Sequence, residues 1–174
     1  FMTMCAFRGT RKECEVFMRI GHAYDIHRLQ EGRDLILGGI TIPHHKGLLG
    51  HSDADCLLHA IAESLLGALA LGDLGTFFPD NDPKYKDMDS KIILKECYHM
   101  IREKGYHIVN IDATIFAQKP KIKPYSLAIR EKIASVLEID INDISVKATT
   151  YENLGPIGEK LAIAAESVCL LEKD

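Results

Sequence analysis

The chain has 174 residues, with 21 lysine and arginine residues against 25 aspartate and glutamate residues, so its formal net charge is −4. Hydrophobic residues make up 47% and charged residues 26%, a composition that can build a core and excludes a disordered or low-complexity protein. The mild acidity argues against a general nucleic-acid binder, and no apolar run reaches the ~18–20 residues of a membrane-spanning helix. We therefore expect the protein to bind neither nucleic acid nor a membrane.

The first 17 residues differ from the rest of the chain. They mix methionine, cysteine, arginine and lysine without a clear period, and they lack the long apolar core of a secretory signal. We interpret residues 1–17 as a leader or variable N-terminal extension, with an organelle-targeting remnant as the alternative, and residues 18–174 as a single domain. The five cysteines include no C-x-x-C pair, which favours a reducing compartment over a disulfide framework.

Hydrophobic periodicity and turn residues divide the chain into strands and helices. Apolar residues from Leu57 to Leu69 recur at helical spacing, and Ser52 or Asp53 is the expected N-cap of this first helix. The order of the elements is not a regular βαβ repeat, so it predicts an α+β fold with helices packed on one face of a mainly β-sheet subunit. The predicted strands cover 19–29, 34–37, 40–43, 106–118, 144–150 and 162–171; the second and third helices cover 89–104 and 127–137; and the loops cover 46–51, 76–86 and 119–124.

Two clusters of histidine and aspartate have the spacing of metal ligands. Asp25 and His27 stand two apart on the first predicted strand, so their side chains share one face. Asp55 and His59 stand four apart on the first helix, with His51 just before it. Zinc accepts imidazole nitrogen and carboxylate oxygen, and a catalytic site uses three protein ligands, so one aspartate with two histidines meets that count. Spacing alone leaves surface ion pairs and satisfied core histidines as alternatives.

Three further segments carry groups that suit phosphate, sugar or magnesium. The segments 72–75 and 78–82 place three carboxylates in one loop region, where an Asx-type turn is the alternative. Residues 117–123 carry three lysines at a strand end, suited to phosphate, although a solvated basic loop explains them equally. Residues 147–152 end a strand in threonine hydroxyls and a glutamate. The chain contains no Walker loop, G-x-G-x-x-G, G-x-S-x-G or H-E-x-x-H motif.

These segments stand in the order and at the spacing of one known family. The motifs are RIGHAYDIH at 19–27, GLLGHSDAD at 47–55 continuing to His59, LGDLG at 71–75, FPD at 78–80, AQKPK at 117–121 and KATT at 147–150. With them the chain resembles the 2-C-methyl-D-erythritol 2,4-cyclodiphosphate synthase family of the non-mevalonate isoprenoid pathway. The likeness covers Met18 to about Glu172.

The resemblance implies a homotrimer of α+β subunits with active sites between neighbouring subunits. It implies that 4-diphosphocytidyl-2-C-methyl-D-erythritol 2-phosphate is cyclised to 2-C-methyl-D-erythritol 2,4-cyclodiphosphate with release of CMP, a phosphorus–oxygen lyase reaction. The implied cofactors are zinc, or another divalent transition metal, together with magnesium or manganese. The implied location is the cytoplasm in a bacterium or the plastid in a eukaryote.

The resemblance also implies roles for individual residues. The metal ligands would be Asp25, His27 and His59 for zinc and Glu152 for magnesium. The groups that steady the transition state would be His51 and Thr150. The adjoining subunit would supply the segments that grip the cytidine diphosphate. The residues implied to bind the substrate are Asp25, His27, His51, Ser52, Asp73, Leu74, Gly75, Phe78, Asp80, Asp82, Ala117, Lys119, Pro120, Lys121, Ile122, Lys123, Thr149, Thr150 and Glu152.

Two positions depart from the family pattern. Tyr151 stands where many relatives have a third threonine, which affects the contacts expected for cytidine. Glu159 follows Gly158 where many relatives have an arginine that lines a cavity on the trimer axis able to hold an isoprenoid diphosphate. A carboxylate there repels a diphosphate, so we expect weak or absent binding in that cavity.

Two other functions fit the same residues. A metal-dependent phosphoesterase would use the zinc site to hydrolyse a diphosphate with water and would yield an open-chain phosphate. A non-catalytic trimeric nucleotide-binding module would bind cytidine nucleotides whether or not zinc is present, and would show no turnover. Product analysis distinguishes the synthase from both.

Overall fold

The structure is a computed structural model that describes residues 17–79 and 88–174. The strands in these ranges are β1 (Met18–Glu31), β2 (Leu35–Leu37), β3 (Ile40–Ile42), β4 (Lys46–Leu49), β5 (Tyr106–Phe116), β6 (Ile144–Thr149) and β7 (Ala162–Lys173). The helices are α1 (Cys56–Ala68), α2 (Leu74–Phe77), α3 (Ser90–Glu103), α4 (Ser126–Leu137) and α5 (Gly155–Gly158). None of the helices in the described residues combines the length and the apolar character needed to cross a membrane.

The sheet brings the ends of several strands to one edge. Among the described residues, β4, β1, β7, β5 and β6 pair in that order, and β2 pairs with β3 in a separate hairpin. Strand β7 runs antiparallel to both β1 and β5, while β6 runs parallel to β5. Strands β1, β5 and β6 therefore point the same way, and their carboxyl ends meet at one edge of the sheet.

Helix α1 packs tightly on the sheet and forms the centre of the core. It contacts β1 and β7, and its apolar side chains, including Leu57, Ile61 and Leu65, are fully buried. Burying one such side chain contributes about 1.5–3 kcal/mol. Gly21 of β1 permits the close approach, because a Cβ atom at this position would lie 1.8 Å from the backbone oxygen of Ser64 in α1.

The other face of the sheet carries several exposed apolar side chains. Ile20 is 72% exposed, and Tyr24, Ile26 and Val168 are also more than two-fifths exposed. Ile20, Tyr24 and Ile26 alternate with less exposed residues along β1, and α1, α3 and α4 pack on the face opposite to them. On the face of Ile20, Ile157 of α5 packs against Ala162 and Ala164 of β7, and the described residues leave the rest of this face open. This arrangement confirms the predicted α+β fold class.

Most predicted elements match the structure, but three details were wrong. Residues 46–49, predicted as loop, form β4, in which Gly47 pairs with Gln30 of β1. The N-cap of α1 is Asp55, which accepts hydrogen bonds from the first-turn amides, rather than Ser52 or Asp53. The short helices α2 and α5 were not predicted. The predicted loop over 76–86 lies partly outside the described residues.

Candidate functional site

Three side chains from β1 and α1 converge at one end of the sheet. Asp25 and His27 both lie on the face of β1 that α1 covers, and His59 lies in the first turn of α1 facing them. The Oδ2 atom of Asp25 lies 3.0 Å from both His27 Nε2 and His59 Nδ1. His27 Nε2 and His59 Nδ1 are 3.3 Å apart. This convergence forms the group that we call the triad: Asp25, His27 and His59.

The triad fits a divalent metal ion by its donor set and by its spacing. Two imidazole nitrogens and a carboxylate oxygen are typical ligands of a catalytic zinc ion. Tetrahedral ligands at the usual zinc distances lie about 3.3–3.4 Å from one another, close to the separations within the triad. His27 Nδ1 lies 3.0 Å from the backbone oxygen of Leu49, which can only accept. The ring must therefore donate there, which leaves the lone pair of Nε2 directed into the triad.

The charges within the triad shift the pKa values of two of its members. Burial alone would raise the pKa of the Asp25 carboxyl, but its hydrogen bonds and charge interactions with His27 and His59 hold that pKa well below its usual range. Burial would lower the pKa of His27, but the hydrogen bond and negative charge of Asp25 raise it instead. Asp25 is therefore a carboxylate at neutral pH, as a metal ligand must be.

The triad lies in a cavity of about 290 Å³ that several other predicted site residues also line. The predicted residues brought together there are Asp25, His27, His51, Ser52, His59, Leu74, Gly75 and Phe78. Asp73 directly precedes the lining residue Leu74 and is the N-cap of α2. Its carboxylate accepts hydrogen bonds from the amide and the hydroxyl of Thr76. Asp80 and Asp82, also predicted to bind the substrate, lie outside the described residues.

The predicted cytidine-binding segments line a second, smaller cavity of about 170 Å³. The predicted residues that line it are Ala117, Pro120, Lys121, Ile122, Lys123, Thr149 and Thr150. Beside this cavity, the hydroxyl of Thr150 donates to Oε1 of Glu152 at 2.6 Å, and Glu152 is exposed. Lys119 lines a different cavity, together with Lys121 and Glu159.

The two cavities are separate within one chain. The strand register places Ile26, Ala164, Phe116 and Thr149 in one row across the sheet. Neighbouring strands are about 4.8 Å apart, so Thr149 lies about 14 Å from β1 along this row. The cavity of the triad and the cavity of the 117–123 segment share no lining residue among those described.

Asp55, which its spacing made a candidate metal ligand, has a different role. It is fully buried, and its carboxylate accepts from the backbone N–H groups of Leu57 and Leu58 in α1 and of Gly38 and Gly39 in the β2–β3 turn. Both carboxylate oxygens are occupied by backbone N–H groups, and Asp55 does not belong to the triad. Asp55 therefore joins the hairpin to the start of α1.

Sequence reasoning missed three residues around the triad. Glu63, one turn after His59 on α1, lines the same cavity and accepts a hydrogen bond from the backbone of Leu74 at 3.3 Å. Ser90 and Asp53 lie behind His59, with the Ser90 hydroxyl 2.9 Å from His59 Nε2. The spacing of Glu63 after His59 was a usable signal, whereas Ser90 is 31 residues from His59 and no local pattern connects them.

Comparisons with known proteins agree on one family. The YgbB family model matches residues 18–172. A protein of Clostridioides difficile (strain 630) named 2-C-methyl-D-erythritol 2,4-cyclodiphosphate synthase is 58% identical over 154 residues, which is 88% of this chain and 96% of that protein.

Two solved structures share the fold. The bifunctional IspDF from Campylobacter jejuni has a TM-score of 0.87 and 41% sequence identity, with 90% of this chain covered. This chain spans 42% of that longer protein. A CDP complex of IspF from Plasmodium falciparum has a TM-score of 0.80 and 42% identity over 91% of this chain and 97% of that chain.

Proposed function

Because the chain belongs to the YgbB family, together with curated 2-C-methyl-D-erythritol 2,4-cyclodiphosphate synthases, we propose that it carries out that cyclisation at the triad. The substrate is 4-diphosphocytidyl-2-C-methyl-D-erythritol 2-phosphate, and the products are the cyclic diphosphate and CMP. The reaction belongs to non-mevalonate isoprenoid precursor biosynthesis and makes the enzyme a lyase. The observation that carries the proposal is the convergence of Asp25, His27 and His59 in a cavity of the family fold.

The chemistry requires positioning and charge neutralisation more than a reactive side chain. An oxygen of the 2-phosphate attacks the β-phosphorus, a new P–O bond forms, and the P–O bond to the CMP phosphate breaks. The attacking group is already anionic at neutral pH, so neither a protein nucleophile nor a strong general base is needed. Holding two phosphates of like charge in contact is the main barrier, and fixed donors in the cavity lower it.

Asp25, His27 and His59 would hold zinc or another divalent transition metal, as their donor atoms and spacing indicate. Bound there, the metal would draw electron density from a phosphate oxygen and offset its negative charge. The carbonyl of Leu49 keeps His27 in the tautomer that binds. Glu152 would hold magnesium or manganese, because it presents an exposed carboxylate beside the second cavity, and these ions prefer oxygen ligands.

The remaining cavity residues would bind and orient the substrate. His51 would steady the transition state from its place in the wall beside the triad, and Ser52, Leu74 and Gly75 would contact the erythritol and its phosphate. Asp73, Phe78, Asp80 and Asp82 would also bind the substrate. Thr150 would steady the transition state from the second cavity. The residues that would bind the cytidine diphosphate are Ala117, Lys119, Pro120, Lys121, Ile122, Lys123, Thr149 and Glu152.

We propose that three chains assemble so that the triad of one subunit faces the second cavity of its neighbour. The separation of the two cavities within one chain supports this arrangement, since one substrate has to reach both. The exposed apolar side chains on the open face of the sheet, led by Ile20, supply a surface for association. Light scattering during size-exclusion chromatography should give the mass of a trimer, and a monomer would contradict the assembly.

Product analysis tests the proposed reaction. Phosphorus NMR of a reaction containing the proposed substrate and zinc- and magnesium-supplemented protein should show the cyclic diphosphate and CMP in equal amounts. An open-chain phosphate product would instead support a metal-dependent phosphoesterase. Cytidine nucleotide binding that survives chelation, without any turnover, would support a non-catalytic binding module. Either of these results would overturn the proposal.

A further inference from the structure

Behind the triad, the second ring nitrogen of His59 meets a chain of polar groups. His59 Nε2 lies 2.9 Å from the hydroxyl of Ser90 and 3.1 Å from the hydroxyl of Ser52. The Ser90 hydroxyl in turn makes a short hydrogen bond to Oδ1 of Asp53. Ser90 is fully buried at the start of α3, and the His59 side chain is only 13% exposed. The contacts join three separate parts of the chain.

The direction of each hydrogen bond follows from which groups carry a proton. A carboxylate can only accept, so the Ser90 hydroxyl donates its single proton to Asp53. The Ser90 oxygen can then only accept from His59, which requires the proton of the imidazole on Nε2. The Ser52 oxygen already accepts from the backbone N–H of Ala54 at 3.1 Å and has a second lone pair that can accept from the same nitrogen. At Nδ1 the carboxylate of Asp25, 3.0 Å away, is the competing acceptor for the imidazole proton. With Nε2 protonated, the neutral ring has its lone pair on Nδ1, where a metal ion shared with Asp25 and His27 would lie.

Asp53 is itself held in place by backbone contacts. Its Oδ2 accepts from the N–H of Ser90 at 3.1 Å, and its Oδ1 accepts from the N–H of Asp55 at 3.2 Å. The N–H of Asp53 donates to the backbone oxygen of Met88 at 3.2 Å. Hydrogen bonds therefore fix the loop before α1 to the start of α3, and the Ser90 hydroxyl has little freedom to rotate away from Asp53.

We propose that Asp53 and Ser90 are positioning residues that hold His59 in the Nε2–H tautomer and direct its Nδ1 lone pair to the metal. Neither residue touches the triad's donor atoms or needs to touch the substrate, so both act through His59. The inference rests on the proposed function only in taking His59 as a metal ligand. Outer partners of this kind typically account for 10–100-fold in metal affinity.

Two substitutions test the roles of Ser90 and Asp53 separately. Ser90→Ala removes the nearer of the two hydroxyl groups that face His59 Nε2, and Asp53→Ala frees the Ser90 hydroxyl to donate to His59 and so favours the opposite tautomer. Competition titration with a chelator should show zinc affinity about tenfold or more below that of the unaltered protein in both variants. In zinc-free protein at alkaline pH, where imidazoles are neutral, Asp25 competes for the His59 proton at Nδ1. Nitrogen NMR should therefore show a clearly larger fraction of the Nε2–H tautomer of His59 in the unaltered protein than in Asp53→Ala.

Asp89→Ala is the matched control, since Asp89 caps the same helix α3 through the N–H of Lys91 and makes no contact with His59. This variant should keep zinc affinity within about twofold of the unaltered protein and keep the same tautomer fractions of His59. The proposal is overturned if Ser90→Ala and Asp53→Ala bind zinc as the unaltered protein does, or if Asp89→Ala weakens zinc binding equally. These readouts compare variants without turnover, so an unaltered protein that binds zinc but releases no CMP would count against the proposed reaction alone.

Discussion

His27 Nε2 and His59 Nδ1 lie 3.3 Å apart, although 32 residues separate them in the chain. One belongs to strand β1 and the other to the first turn of α1, and the two elements approach closely because Gly21 has no side chain. The pair therefore depends on the close packing of α1 against β1. A metal centre built on such elements has little freedom to lose its geometry when the substrate binds.

His59→Ala should abolish zinc binding and reduce CMP release by about a hundredfold or more, because it removes a ligand that no neighbouring group replaces at that position. Elemental analysis and a CMP-release assay measure the two effects, and light scattering should show that the oligomeric state is unchanged. His99→Ala, an exposed histidine on α3, is the control and should match the unaltered protein. Full turnover with stoichiometric zinc in His59→Ala would show that the triad is not the metal centre.

Zinc should stabilise the protein more strongly as the pH rises. The hydrogen bond and charge of Asp25 outweigh the opposing effect of burial and raise the pKa of His27 above its usual 6.5. A ligand imidazole has to lose its proton, so protons compete with zinc at low pH. The increase in melting temperature that zinc causes should therefore be small at about pH 6 and larger at about pH 8. An increase that does not change with pH would contradict this coupling.

Zinc-free protein should show the opposite trend. Because the folded pKa of His27 is raised, the stability that its pair with Asp25 contributes is fully present below pH 6.5 and is lost as the pH rises through that folded pKa. The pKa of Asp25 is lowered, so its contribution is present above pH 3.8 and is lost as the pH falls further. Urea unfolding of chelator-treated protein at a series of pH values measures both losses of stability. His27→Ala should remove the loss at higher pH.

Asp55→Ala should destabilise the fold by about 3–5 kcal/mol, because it removes a helix cap and also leaves the buried N–H of Gly38 and the partly buried N–H of Gly39 without this acceptor. Urea unfolding of the zinc-free protein measures the change. Asp55→Asn keeps one acceptor oxygen and should lose less. Asp89→Ala, which removes the cap of α3 at a partly exposed position, should cost about 1 kcal/mol. A loss in Asp55→Ala no larger than in Asp89→Ala would exclude the role of Asp55 in joining the hairpin to α1.

Glu159 should prevent tight binding of an isoprenoid diphosphate. Glu159 follows Gly158 at the position where the family resemblance implies an arginine on the trimer-axis cavity, and a carboxylate there would repel a diphosphate. Titration calorimetry at low salt should find weak or no binding of geranyl diphosphate to the unaltered protein. Glu159→Gln should bind it more tightly, and Glu159→Arg by about tenfold or more, since a guanidinium pairs well with phosphate. Tight binding by the unaltered protein would refute the prediction.

Most of the fold could be predicted because strand alternation and helix caps depend only on residues that are close in the sequence. The alternation in β1 and the cap Asp89 of α3 needed only the sequence nearby. Strand β4 was missed because Gly47 is typical of loops, and it forms a strand only through pairing with β1. The N-cap of α1 was misplaced because Ser52, Asp53 and Asp55 all suit a cap. The distant amides of Gly38 and Gly39 favour the last of them.

The candidate site divides in the same way. Strand alternation alone put Asp25 and His27 on one face, and the resemblance to a family joined His59 to them. The support behind His59 could not be predicted, because Asp53 and Ser90 meet only when the loop before α1 packs on the start of α3, 37 residues later in the chain. Contacts of this kind depend on tertiary packing and have no period in the sequence.

Stepwise restoration of zinc to chelator-treated protein tests the metal-dependent ring closure most directly. The protein is saturated with magnesium, titrated with zinc, and assayed at each point for bound zinc and released CMP. CMP release should start near zero, rise in proportion to bound zinc and stop rising when each chain holds one zinc ion. Undiminished CMP release from fully zinc-free protein would contradict the account.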